Sequence, residues 1–187
     1  MRRRFAGAAR WLARRRRGVL RSFMATLLGG LCQWASACDP DASVLFACEA
    51  SAGKKYIELC ASSPVDQPDG YLEYRFGALG RDGRGETVEL SFPPSREGSL
   101  KRFVGATYTH GGTYTQSVSF KTDRASYAVF TDARGSQTVA AGVRVRDMQT
   151  NKVVTVACNE RPRFYIHELQ HALACDPQTP VGRACIR

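Results

Sequence analysis

Short runs of alternating apolar and polar residues fill most of the chain after residue 42, and they constrain the fold more than any other feature. In runs such as YLEYRF and TVAAGVRVR every second side chain is apolar, and glycine, aspartate or asparagine separates one run from the next. This period of two, with many β-branched and aromatic residues, is typical of strands with one buried face. The predicted strands are 43–50, 55–61, 71–76, 86–92, 101–108, 113–120, 126–131, 138–146 and 152–158.

Short turns between these strands favour antiparallel pairing. The sequence therefore predicts a mainly β domain of about nine strands, either a sandwich or a closed barrel. One later segment has a helical period instead, and it predicts an α-helix from about 163 to 174 that packs on the β domain by its apolar face. The apolar residues of that face are Tyr165, Ile166, Leu169, Ala172 and Leu173.

The predicted helix carries HELQH, formed around His167, Glu168 and His171. On an α-helix two histidines four residues apart point the same way and could bind one zinc ion, while the glutamate could act as general base. The pentapeptide resembles the HExxH motif of zincin metallopeptidases, but the chain lacks the third ligand at the family's positions. A third ligand would have to come from His110, Asp176, Glu160 or a loop. If the helix extends to Cys175, a reduced thiol there could complete a three-ligand metal face with the two histidines.

Two other interpretations of HELQH stay open. The histidine pair could bind zinc, copper or nickel without catalysis, since imidazole suits all three metals. Alternatively, the motif is only the solvated side of an amphipathic helix.

The positive charge is concentrated at the N-terminus. Residues 1–37 hold nine arginines and no acidic residue, so of the 27 basic residues 18 remain against 17 acidic ones. The near-neutral remainder does not favour nucleic acid as a partner. The arginines precede a short apolar stretch and then Ala35-Ser36-Ala37, a pattern typical of a signal peptide cleaved after residue 37.

The sequence thus predicts a cleaved signal peptide, 1–37, and one domain, 38–187, in the periplasm or outside the cell, without a stable membrane span. Export by the general or the twin-arginine route is left open. A lipid anchor on Cys38 is an alternative to simple secretion.

Six cysteines follow the predicted cleavage site, and an even number in an exported chain predicts three disulfides. The favoured pairs are local: Cys48 with Cys60 across a hairpin, and Cys175 with Cys185 around a short loop. By elimination Cys38 would then pair with Cys158.

The function predicted from these features is that of a non-enzymatic binding or inhibitor-like protein with a protein or glycan partner and no required cofactor. His110 lies at a predicted hairpin tip and, with Tyr108 and Tyr114, could form a recognition patch. The alternative is a zinc-dependent metallopeptidase or other hydrolase that uses the three HELQH residues named above.

Four segments, FACEASAGKKYIELC, FVGATYTHGGTY, AGVRVRD and VVTVAC, resemble a family of small exported proteobacterial all-β proteins of unknown function. The resemblance covers roughly residues 44–158. It implies a signal peptide, a disulfide-bridged hairpin and an all-β domain, but no activity. In size, compartment and layout the chain is also similar to periplasmic lysozyme inhibitors, an architectural resemblance alone.

Overall fold

The computed structural model describes residues 38–80, 86–169, 171–179 and 182–184. All of them belong to one compact unit that spans residues 34–187. The predicted signal peptide, 1–37, lies outside the described residues.

Two β-sheets form this unit. The first is antiparallel, with the strand order β10-β1-β2-β3-β4. Its strands are β1 (Ser43–Ala50), β2 (Lys55–Ala61), β3 (Leu72–Leu79), β4 (Glu86–Phe92) and β10 (Arg163–Phe164).

The second sheet is mixed, with the order β12-β11-β5-β6-β7-β8-β9 and one parallel pair, β11 with β5. Its strands are β5 (Phe103–His110), β6 (Thr113–Lys121), β7 (Ala125–Arg134), β8 (Gln137–Asp147), β9 (Val153–Ala157), β11 (Ala174–Thr179) and β12 (Gly182–Ala184). The nine predicted strands correspond to β1 to β9, which confirms the mainly β prediction.

The core lies between the two sheets and contains apolar side chains from both. Phe92 of the first sheet stacks on Phe120 of the second with ring centroids 4.4 Å apart, and Tyr74 reaches the same ring at 5.0 Å. Burial raises the pKa of the Tyr74 hydroxyl. Because the sheets face each other and each keeps its own edges, the domain is a sandwich, and the closed-barrel alternative is wrong.

The predicted α-helix at 163–174 is also wrong. Its first residues form β10, where Phe164 pairs with Phe46 of β1, and a single 3₁₀ turn follows over Ile166–Leu169. Its last residue, Ala174, begins β11 and pairs with Val104. The sheets supply hydrogen-bond partners at both ends of the segment, and this tertiary pairing overrides the weak helical period.

The disulfides differ from the predicted pairs. Cys38 bonds to Cys60, and Cys48 bonds to Cys158. The predicted hairpin bridge fails on register, because Cys60 lies opposite Val44, four residues along β1 from Cys48.

Cys175 is disulfide-bonded as well, but its predicted partner, Cys185, lies outside the described residues. The bond from Cys38 to Cys60 also corrects the lipid-anchor alternative, because a sulfur in a disulfide cannot carry a lipid thioether.

Candidate functional site

The HELQH residues lie on and after the 3₁₀ turn. His167, Glu168 and His171 are exposed, while Ile166 and Leu169 are buried in the core. A 3₁₀ turn has three residues per turn and ends here at Leu169. The two histidines therefore lack the one-turn spacing on an α-helix on which the predicted metal pair depended.

Three potential metal ligands lie together elsewhere. Among the described residues, the group of three with ligand atoms within 4.8 Å of one another consists of Cys38, Glu58 and Cys60. Its two sulfurs are joined in a disulfide, so neither is a thiolate ligand in this state. No such group in the described ranges includes a HELQH residue, His110, Asp176 or Glu160. Zinc binding by HELQH stays a prediction, but the α-helix that it assumed is replaced by β10, the 3₁₀ turn and β11.

The predicted recognition patch at the β5–β6 hairpin is divided between two faces. Tyr108 lies opposite Thr115, whereas Tyr114 lies opposite Thr109. Adjacent residues of a strand point to opposite faces, so the two tyrosines cannot form one surface. His110 is exposed at the hairpin tip and shares the face of Tyr108.

A charged cluster on the outer face of the first sheet was not predicted. Glu73 and Arg75 of β3 form a bidentate pair, with Nε–Oε1 at 2.8 Å and Nη2–Oε2 at 3.0 Å. Arg96 also donates to Glu73, and both guanidiniums donate to Asp39. We call Asp39, Tyr71, Glu73, Arg75, Ser91 and Arg96 the outer-face cluster.

Hydrogen bonds within the outer-face cluster lower the pKa values of its two carboxyl groups. The hydrogen bond from Arg96 lowers the pKa of Asp39, although partial desolvation opposes it. Burial alone would raise the pKa of Glu73, but hydrogen bonds from Arg75 and Ser91 outweigh it and lower that pKa.

Hydrogen bonds to these carboxylates raise the pKa of both guanidiniums, and burial raises that of Tyr71, on whose ring Arg96 lies at 4.3 Å. Every titratable group of this cluster therefore keeps one protonation state near neutral pH, which suits a structural role better than acid–base catalysis.

The N-terminal residues of the described chain cover this face. The backbone nitrogen of Cys38 donates to Oε2 of Glu58 at 3.1 Å, and both residues are buried. The Cys38 sulfur lies 3.5 Å from the same oxygen, but a disulfide sulfur has no proton to donate.

An open strand edge borders a groove at one end of the second sheet. The β8–β9 ladder runs from Gly142 opposite Ala157 to Arg146 opposite Val153, so the first part of β8 extends beyond β9. After β9 the chain crosses to the first sheet, where Cys158 pairs with Ala50. No strand of the described residues pairs with 137–140 on that side, and all four residues are exposed.

The groove has a volume of about 420 Å³. Residues 136–141 line one wall and residues 158–162 line the other. Polar side chains predominate: Ser136, Gln137, Thr138, Asn159, Glu160 and Arg161. Its geometry suits an extended ligand that can exchange hydrogen bonds with a strand edge.

Gly142 lets β9 approach β8 at the inner end of the groove. It has a φ of 147°, and a Cβ there would lie 2.2 Å from the carbonyl oxygen of Val156. Only glycine fits this close approach without strain.

The fold and the disulfides define the class of protein: a disulfide-bonded, all-β domain of two sheets. A scan of protein-family models and searches of curated proteins and solved structures give no significant match. The disulfides indicate an oxidising compartment. Within the described ranges, no helix is long and apolar enough to cross a bilayer.

Proposed function

We propose that the chain is an exported, non-enzymatic binding protein that captures an extended segment of a protein partner along the open edge of β8. One observation carries the proposal: residues 137–140 form a strand edge that is exposed and has no strand partner among the described residues. Strand addition to such an edge is a common mode of peptide recognition, because main-chain hydrogen bonds supply affinity.

The surroundings of the edge support this mode. The opposite wall, 158–162, is anchored at its start by the disulfide from Cys158 to Cys48 and by the backbone bond from Asn159 to Glu49. A preformed, anchored groove reduces the entropy lost on binding.

The side chains around the edge can supply specificity. Val139 is 53% exposed and offers an apolar contact beside Glu160 and Arg161, which carry opposite charges. A polypeptide fits this combination better than a glycan, because it alone can extend the sheet with alternating N–H and C=O groups.

The test begins with a random peptide library selected on residues 38–187 with the disulfides formed. For the tightest peptides, we expect hydrogen exchange to slow at those backbone amides of 137–140 that point away from β7. Val139→Lys should weaken binding about tenfold or more, because a charge on an exposed edge opposes strand addition. The matched control is Val88→Lys on β4, since Val88 is exposed to a similar extent, 48%.

Unchanged binding by Val139→Lys, or slowed exchange on another surface, would overturn the proposed edge site. A glycan array on the same protein tests the other class of partner. Binding of a glycan without binding of any peptide would replace the proposal, and turnover of a substrate would contradict the non-enzymatic function.

A further inference from the structure

Two turns lie side by side at one end of the second sheet. One joins β6 to β7 over residues 122–124, and the other joins β8 to β9 over residues 148–152. The backbone nitrogen of Met148 donates to the carbonyl oxygen of Arg124 at 2.9 Å, so the two turns are hydrogen-bonded to each other. We call residues 121–124 and 146–153 the turn end of the sheet.

The turn end carries more positive than negative charge. Its cationic side chains are Lys121, Arg124, Arg146 and Lys152. All four are exposed, and among the described residues none of them forms an ion pair. The same segments hold two carboxylates, Asp123 and Asp147, against these four cations. Asp147 accepts hydrogen bonds from the backbone of its own turn, which lower its pKa and occupy its oxygens.

Strand register places two of these cations on the outer face of the sheet. Lys121 lies opposite Ser126, and Ser126 lies opposite Arg146, so the two cations are two strands, or about 10 Å, apart on one face. This face is the outer one, because Phe120, next to Lys121 on β6, points into the core. Val153 lies opposite Arg146 and extends the same row.

Large apolar side chains are exposed among the cations. Met148 is 46% exposed and Val153 is 45% exposed. Unpaired cations beside exposed apolar side chains match the surface of an anionic bilayer, where the cations meet lipid phosphates and the apolar groups enter the boundary with the acyl chains. A soluble polyanion would engage the cations alone and would leave the apolar side chains in water.

We propose that the turn end binds the surface of an anionic phospholipid bilayer, with Met148 and Val153 at the boundary between headgroups and acyl chains. The binding is peripheral, and the proposal does not rest on the edge site of β8. That open edge, 137–140, lies at the other end of the strand, and Ala140 is about 20 Å along β8 from Arg146. A domain bound in this way presents its open edge away from the lipid.

Sedimentation with vesicles tests the electrostatic part. The domain, residues 38–187 with its disulfides formed, is mixed with vesicles of phosphatidylcholine alone or of equal parts phosphatidylcholine and phosphatidylglycerol. We expect binding only to the anionic vesicles. Arg146→Glu should weaken it about twentyfold, because one cation is lost and one anion is added. The matched control is Arg134→Glu, the same charge change at the opposite end of the sheet, which should change binding less than about twofold.

Two further variants test the apolar part. Residues 38–187 contain no tryptophan, so Met148→Trp introduces a single reporter whose emission should shift to shorter wavelength on anionic vesicles. Val153→Ser should weaken binding about threefold or more. Its control is Val154→Ser, because Val154 is 51% exposed but points to the opposite face of β9, and its loss should have a smaller effect than that of Val153.

Four results would overturn the proposal. The first is no binding to the anionic vesicles. The second is equal weakening by Arg134→Glu, which would mean that net charge and not the turn end attracts the lipid. The third is vesicle binding with unchanged emission from the introduced tryptophan, which would place the contact on another surface. The fourth is binding of dextran sulfate that Val153→Ser leaves unaltered, without binding of vesicles, which would replace the bilayer by a soluble polyanion.

Discussion

Two disulfides have both of their cysteines among the described residues, and removing them one at a time separates the effect of loop closure on stability from that of packing. The bond from Cys48 to Cys158 joins residues 110 positions apart, whereas that from Cys38 to Cys60 joins residues 22 apart. In the loop-closure model a cross-link destabilises the unfolded chain by a term that grows with the logarithm of loop length. The long loop corresponds to about 4.8 kcal/mol and the short one to about 3.4 kcal/mol.

Side-chain packing predicts the opposite order for the two losses of stability. Cys38 and Cys60 are buried, while Cys48 and Cys158 are only partly buried, so a cavity is left mainly by loss of the short-loop pair. We expect loop closure to prevail, with Cys48→Ala/Cys158→Ala less stable than Cys38→Ala/Cys60→Ala by about 1.4 kcal/mol.

The assay is urea unfolding followed by far-ultraviolet circular dichroism, because residues 38–187 contain no tryptophan. Both double variants are made in the same chain, residues 38–187, so that they differ only in the disulfide that is removed. Equal losses, or a larger loss for the short-loop pair, would refute the loop-length argument.

Three further predictions concern single positions. Gly77→Ala should destabilise the domain by about 1–3 kcal/mol, because its Cβ would lie 2.0 Å from the carbonyl oxygen of Thr87; thermal unfolding measures the loss. Glu73 has a lowered pKa, so its stabilisation is complete above its ordinary value of 4.5 and is lost as the pH falls through the lower folded value. Glu73→Gln should flatten the acid dependence of the urea midpoint, and an unchanged slope would exclude this role. Elemental analysis of untagged protein should find far less than one zinc per chain, equally in His171→Ala; one zinc that this variant loses would restore the hydrolase hypothesis.

The strands were predictable because their signal is local. In YLEYRF the period of two assigns Leu72, Tyr74 and Phe76 to one face, and it leaves Glu73 and Arg75 together on the other. Half of the outer-face cluster could therefore have been read from this stretch. Its loop partners, such as Asp39, could not, since nothing local brings residues so far apart into contact.

The C-terminal segment was mispredicted because its conformation depends on distant partners. Phe164 pairs with β1, and Ala174 pairs with β5. Strands more than 60 residues earlier in the chain therefore determine the conformation at both ends of the segment. The disulfide pairing failed on strand register: the turn sets Ala50 opposite Lys55, so Cys48 lies opposite Ile57, three residues before Cys60. The groove beside β8 exists because the β8–β9 ladder ends at Gly142 and Ala157. The alternating run 152–158 does not by itself show where this pairing ends.

The two edges of the second sheet differ in a way that limits self-association. One edge ends in β12, whose described residues, Gly182–Ala184, have an irregular register with β11, and irregular edges resist pairing with another chain. The other edge is β9, where Val153 and Val154 are exposed. A sheet with one receptive edge can join a second copy once but cannot continue into a fibre. Concentrated solutions should therefore stop at a dimer through this sheet, whatever its affinity.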